Sequence, residues 1–321
     1  MTAACLVILA IAARADPVTV TATPLSGFDN FGGDGSYGPL AWRGGLELFS
    51  SEEKFGGLSG LALSDDCTRL TAVSDAGRWF RAALAYDGKM LAGLGAAELA
   101  PLLDDKGRPP KSKATGDAEA LAVVGHGLYM VGFERRSRIG IYDLGQSGLQ
   151  ARFKLLKSPQ AIAEGPRNGE IESAGRFVEG SWKDHDFAIS EENLDANGNI
   201  RGWLWRGADT LPFSVKRFED YKITDAAILP GGDVLILERS FGPSLLPGMA
   251  LRRFKSSAIK SGATVEPELL FSGRAPLYAI DNMEGIAVCQ RDGELRLTIV
   301  SDNNFNTSLQ RTLLLQFAYN P

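Results

Sequence analysis

The sequence predicts an all-β fold: a β-propeller of four-stranded blades, with five blades favoured over six and the ring closed by an N-terminal strand. Three observations carry this. Glycine supplies 37 of the 321 residues, about 12% against the roughly 7% usual in globular proteins, so the chain turns often and its elements are short. Five segments repeat one pattern at intervals of 53 to 60 residues. Long helical periodicity is absent, and the one candidate helix, 96–103, is short and broken by Pro101.

Each repeat opens on an acidic or small polar residue and runs through a short apolar strand. It turns at Gly or Asp and returns along a second apolar strand that ends on a carboxylate. The five are 59–63 leading to 73–75, 119–123 to 131–134, 172–174 to 189–191, 225–229 to 236–238, and 284–288 to 300–302. Their opening positions lie 60, 53, 53 and 59 apart. The second interval holds strand-like runs at 119–124, 128–134, 138–144 and 150–156, and the fourth at 225–229, 233–239, 250–255 and 264–271. A unit of this length and strand content is a propeller blade. The 38 residues from Glu284 onward and the 43 at 16–58 fill one more blade and not two. Residues 45–49 (GLELF) would supply the outer strand of the blade that opens at Glu284, leaving no free sheet edge. Cys67 and Cys289 each follow an innermost strand in the two blades that meet there. Bonded, they would staple the closure; unbonded, they would be two half-buried thiols.

Composition narrows the function. Apolar residues make up 44% and charged residues 23%, and mean hydropathy is −0.06, the profile of an ordinary folded chain. A net charge of −5 and a pI of about 5.3 argue against nucleic acid as a partner. Two histidines leave little room for His-rich zinc chemistry or a Ser-His-Asp hydrolase. Residues 3–13 form an apolar run ahead of Ala13-Arg14-Ala15, which reads as a signal peptide over 1–15. Export to the periplasm or outside the cell follows, with a single domain over 16–321 and no membrane span after cleavage. Nothing calls for more than a monomer.

The acids define where a site would lie. In an antiparallel hairpin the start of one strand lies beside the end of the next, and the first strand of a blade lines the axis. One axial face therefore gathers Asp75; Asp117, Glu119 and Glu134; Glu170, Glu172, Glu191 and Glu192; Asp225 and Glu238; and Asp281, Glu284 and Asp302. Two unit charges ~4 Å apart repel by about 4 kcal/mol at an effective dielectric near 20, so this ring demands cations. Carboxylate oxygens suit Ca²⁺ or Mg²⁺ better than Zn²⁺. Arg78, Arg135, Arg136 and Arg239 closely follow strand-end carboxylates, so an ion-paired scaffold is the other reading. Ser59 replaces the opening acid in the first repeat, inside the glycine-rich stretch 55–60 where a ligand has room to approach the backbone. The loop 106–113, with four positive charges, should hang over the same face as a clamp for an anion.

The stretches 55–61 with 73–77, 117–121 with Glu134, 170–172 with Glu191-Glu192, and 281–286 with 300–302 resemble the phytase-like family, whose domain is called esterase-like activity of phytase. The resemblance covers about 54–305 and implies an exported hydrolase of phosphate or other esters that uses calcium. The candidate metal ligands are Glu119, Glu172, Asp225 and Glu284. Arg78, Arg135, Arg239 and Ser59 are candidates to hold a small anionic or ester substrate, and Glu134 or Glu191 is the candidate base. A lactonase-type propeller with one axial metal, or a non-catalytic binding propeller with ion-paired blades, are the alternatives. His126 and His185 fall in turns on the opposite face. Residues 195–199 begin like a calcium loop, but Arg206 stands where the closing Glu belongs, so they read as a hairpin turn.

Overall fold

Strands here are buried on both faces, and that sets the architecture. Runs such as Val234–Ser240 and Thr312–Tyr319 are almost wholly buried rather than alternating, so each sheet has to be covered twice. In the computed structural model, which describes residues 15–166, 169–242 and 245–321, five antiparallel sheets meet this demand by standing in a ring as a five-bladed propeller. Most of the segment expected as a signal peptide lies outside the described residues. No helix among the described residues is long and apolar enough to cross a membrane.

Blade one comprises Leu58–Leu63, Arg69–Ser74, Arg78–Asp87 and Met90–Pro101. Blade two comprises Ala118–Gly125, Leu128–Phe133, Arg138–Asp143 and Lys154–Leu156. Blade three is Ser173–Arg176, Asp186–Leu194, Ile200–Arg206 and Asp209–Val215, and blade four is Lys222–Ile228, Val234–Ser240, Gly248–Phe254 and Glu268–Arg274. Blade five takes Met283–Arg291, Glu294–Ser301 and Thr312–Tyr319 from the end of the chain, and Leu40–Phe49 from its beginning.

The closing strand expected at 45–49 is therefore real and longer, and four strands per blade is the minimum rather than the rule. Asp16–Val18 adds to the outer edge of blade one, Thr21–Pro24 to that of blade five, and Thr264–Val265 joins blade three in parallel. Each covers an edge that would otherwise present unpaired backbone groups. The candidate helix at 96–103 is strand: Leu99 pairs with Phe80, and burial there overrides local propensity. The fourth run of blade two, expected over 150–156, is paired only at Lys154–Leu156, with a helical turn at Gly148–Gln150 taking its first residue.

Five apolar clusters occupy the five seams between neighbouring blades. Leu237, Met249 and Leu251 meet Leu297, Leu313 and Phe317 between blades four and five. Phe80 and Leu70 meet Val300, Leu314 and Leu46 between five and one. Trp79 and Val73 meet Phe133 and Tyr142 between one and two. Met130 and Ile139 meet Trp203 and Trp205 between two and three, and Phe187 and Leu204 meet Ile236 and Phe254 between three and four. Each fully buried side chain of this size contributes about 1.5–3 kcal/mol, so blade-to-blade packing holds the ring.

The innermost strands approach each other backbone to backbone. The residue after each opening position is small: Gly60, Ala120, Ser173, Ala226 and Gly285. A Cβ on Gly60 would lie 2.5 Å from the Leu121 amide nitrogen, and one on Gly285 would strike the Ser59 carbonyl oxygen and lie 3.0 Å from the Leu61 Cβ. Alanine at Gly285 should cost about 1–3 kcal/mol through forced backbone shifts, read as a lower urea midpoint at unchanged slope.

Cys67 and Cys289 are bonded across the closing seam, with Cα atoms 5.6 Å apart and a sequence separation of 222. Closing so long a loop restricts the unfolded chain by roughly 5 kcal/mol in the chain-entropy account. The double variant Cys67→Ala, Cys289→Ala should lose about 2–5 kcal/mol of stability. The same variant should be indifferent to dithiothreitol, whereas the native protein melts lower once reduced.

Candidate functional site

The opening acids do not sit in regular strand register. In four blades the innermost strand is bulged where it starts. The pairing skips Glu119 between Ala118 and Ala120, Glu284 between Met283 and Gly285, Thr224 before Asp225, and one residue between Leu58 and Leu61. A bulge leaves one residue unpaired and re-aims its side chain. Here it turns the acids onto one end of the axis.

Three of them form the tightest group. Oxygens of Asp117, Glu119 and Glu134 all lie within 4.8 Å of one another. Asp117 and Glu134 are buried, while Glu119 keeps an opening to the mouth. Burial, then Asp117 and Glu134, push the Glu119 carboxyl well up, against a hydrogen bond from the Ser59 hydroxyl. Glu134 is pushed up to about 7 by burial and by Glu170, although the Glu170 main-chain N–H donates to it at 2.8 Å. Arg135 pairs with Asp117 and swings back to do so from a left-handed backbone (φ 56°).

A second group lies beside it. Burial and then Glu191, Glu134, Glu119 and Glu284 raise the Glu172 carboxyl. The Arg239 guanidinium lies 3.3 Å from Glu191, 3.2 Å from Glu284 and 3.1 Å from the Asn282 side-chain oxygen. Lys222 pairs with Glu192 and lies 3.7 Å from Glu191. Burial raises Glu191 against these two cations and lifts Glu284 to about 7. The sequence candidates Glu119, Glu134, Glu172, Glu191, Glu284 and Arg239 are thus brought together.

Others are placed differently. Asp225 accepts from the Ala226 and Ile286 main-chain N–H groups, each at 2.8 Å, and so ties blade four to blade five. Glu238 does not face the axis: it grips Arg252 with two bonds of 2.6 Å inside blade four. Its strand runs on to Ser240, so Arg239 takes the axial position instead. Arg78 opens the third strand of blade one opposite Ser74, half-buried at the same end. Asp281 is held by Arg311. His126 lines a cavity of about 750 Å³ at the opposite end of the axis. The turn at 195–199 is a hairpin in which Asp195 accepts from Asn197 and Asn199.

The basic loop does hang over the acidic mouth. Lys113 pairs with Asp75 and lies 3.6 Å from Asp117. A smaller cavity, about 380 Å³, opens between Asp75-Ala76, residues 110–113 and Asn304-Phe305. Sequence reasoning missed Lys222 and the 303–305 loop. Lys222 stands three residues before an opening acid, which was a usable signal; nothing in sequence marked Phe305.

The ring can hold a cation. Asp117 Oδ1 and Asp75 Oδ1 are buried and accept no hydrogen bond, with the Lys113 ammonium 3.6 Å from Asp117 Oδ1. Two oxygens on one ion at about 2.4 Å lie no more than about 4.8 Å apart, the spacing found in the Asp117, Glu119 and Glu134 group.

Raised acids make stability fall with pH. Glu134 and Glu284 at about 7 and Asp302 at about 8 bind protons in the folded state that the unfolded chain has already released. Their contribution is full below about pH 4 and is lost as pH rises through 7–8. Asp66, held near 2 by Ser64 and Thr68, and Glu294, held near 2 by Arg43, act oppositely and lose theirs only as pH falls through about 2. In chelator the protein should melt higher at pH 5.5 than at pH 8, and calcium should narrow the gap. A melting temperature that rises with pH in chelator would contradict this.

Compared with known families, the chain matches the phytase-like family, described as esterase-like activity of phytase, over residues 53–305. No curated protein matches it. Among solved structures it is similar to the Dos1 propeller, at 11% identity and a TM-score of 0.36, over 85% of this chain and 72% of that one. It is also similar, at 12% identity and a TM-score of 0.36, to a chain of the S. cerevisiae assembly of a dbp5 variant with nup159, a gle1 variant, IP6 and ADP. That likeness covers 90% of this chain and 97% of the other.

Proposed function

We propose that this chain, which belongs to the phytase-like family, is an exported hydrolase of small anionic esters, phosphoesters foremost, working as a monomer at a cation held in its axial carboxylate ring. The observation that carries the reading is the three-carboxylate group of Asp117, Glu119 and Glu134 with a buried, unbonded oxygen on Asp117. Oxygen ligands alone favour calcium. Export is supported by the disulfide, which belongs to an oxidising compartment.

A divalent cation there supplies charge for a phosphoryl or acyl oxygen and acidifies a water. The chain supplies the rest. Asp117, Glu119 and Glu134 would hold the ion, with Glu172 and Glu284 beside them. With Glu134 in the ion's shell, Glu191 is the base of the two candidates. Its burial raises proton affinity, while Arg239 and Lys222 oppose that rise. The Lys113 side chain is 50% exposed and that of Arg239 24%, so the substrate's anionic group falls to Lys113 at the mouth, in competition with Asp75, with Arg78 at the same end.

Elemental analysis of the purified protein should find close to one calcium per chain. Titrating calcium to 1 mM into stripped protein should raise the melting temperature by about 2–5 °C. Of p-nitrophenyl phosphate, phytate, p-nitrophenyl acetate and a lactone, the phosphoesters should turn over, and only with metal. Glu119→Gln should lower that rate by about 100-fold and abolish the calcium shift. Turnover of the lactone alone would replace this reading with a lactonase, and inactivity across all four would leave a binding propeller.

A further inference from the structure

Phe305 is in the wrong place for a core residue. Its ring is 43% exposed at the mouth of the acidic end, yet its position is tightly built. Asn304 and Phe305 both adopt left-handed backbone, with φ of 48° and 53°, which is costly for a bulky side chain and is a feature that gathers at functional sites. The turn is held by carboxamide and carboxylate oxygens. Asn303 Oδ1 accepts from the Phe305 N–H at 3.0 Å and the Gly57 N–H at 3.4 Å, and Asp302 Oδ1 accepts from the Asn304 N–H at 2.7 Å. The ring rests on glycine backbone. A Cβ on Gly57 would lie 2.5 Å from Phe305 Cε2, and one on Gly56 would lie 3.0 Å from Cδ1. No side chain other than hydrogen leaves room for the ring at those two positions.

Across the 380 Å³ slot from Phe305 stand Pro110, Lys111, Ser112 and Lys113. Lys111 makes no ion pair among the described residues, and Lys113 reaches from the slot toward Asp117. One wall is therefore a flat apolar face, the other carries two ammonium groups and a hydroxyl, and the slot also holds Asp75, paired with the same Lys113 that lies 3.6 Å from Asp117. We propose that this slot selects the substrate. It takes a phosphate monoester whose alcohol part is a flat, apolar ring, with the ring stacked on Phe305 and the phosphate turned to Lys113 and Lys111. This rests on the reading of the axial face as an ester-hydrolysing site, and it names the substrate class for that site.

Binding separates the two claims, because phosphonates cannot be hydrolysed. Calorimetric titration of the calcium-loaded protein should show phenylphosphonate binding about fivefold tighter than methylphosphonate, the scale of one aromatic contact. Phe305→Ala should bring the two within a factor of two and leave methylphosphonate unchanged; Phe305→Trp should keep the preference. Lys111→Gln should weaken both about equally. Equal affinities in the native protein, a preference that survives Phe305→Ala, no binding of either at 10 mM, or tighter binding of benzylammonium would each overturn the proposal. A phenylphosphonate preference in a protein inert to every ester would support the slot and sink only the hydrolase reading.

Discussion

Like charges crowded at the axis are the constraint around which this molecule is arranged. Glu119, Glu134, Glu172, Glu191 and Glu284 occupy one end of the ring, and burial together with mutual repulsion raises the proton affinity of each. Such an arrangement survives only when other interactions hold it. Part of the answer is cationic: Arg239, Arg135, Lys113 and Lys222 each touch two of the acids or tie one down. Part is packing, since five seams of leucine, phenylalanine and tryptophan press the blades inward regardless of what the axis carries. The crowding that remains is relieved by bound protons, as the raised carboxyls of Glu134, Glu284 and Asp302 show.

The two chain ends meet at one seam of the ring. That seam carries the strand Leu40–Phe49 paired to Thr312–Tyr319, the disulfide of Cys67 and Cys289, and Glu294, which gathers Arg43, Lys89 and Arg296. The 303–305 turn and the Gly56-Gly57 floor beneath Phe305 come from the same two blades. The most constrained part of the ring thus also builds the entrance to its candidate site.

Individual residues show how far each kind of reasoning reaches. Asp225 opens its repeat as the other acids do, yet both of its oxygens are engaged by main-chain N–H groups. Glu238 matches Glu134 and Glu191 in its repeat, yet it turns into the blade and onto Arg252. Asp117, Glu119 and Glu134 come together because a bulge breaks the alternation that a regular strand would impose. Phe305 has no periodic signature at all.

From sequence alone came the blade number, the closing strand, the seam position of the two cysteines and the end of the axis where the acids collect. These follow from spacing along one chain: a period near 55 residues, the glycine turns and the apolar runs determine the topology with little regard to detail. Which carboxylates share a cluster, which ones pair with a cation or a main-chain N–H, and where an aromatic ring meets the entrance were decided only by the tertiary structure. A one-residue bulge or register slip reverses the direction of a side chain, and its partner is then set by ångström-scale contacts between blades distant in sequence.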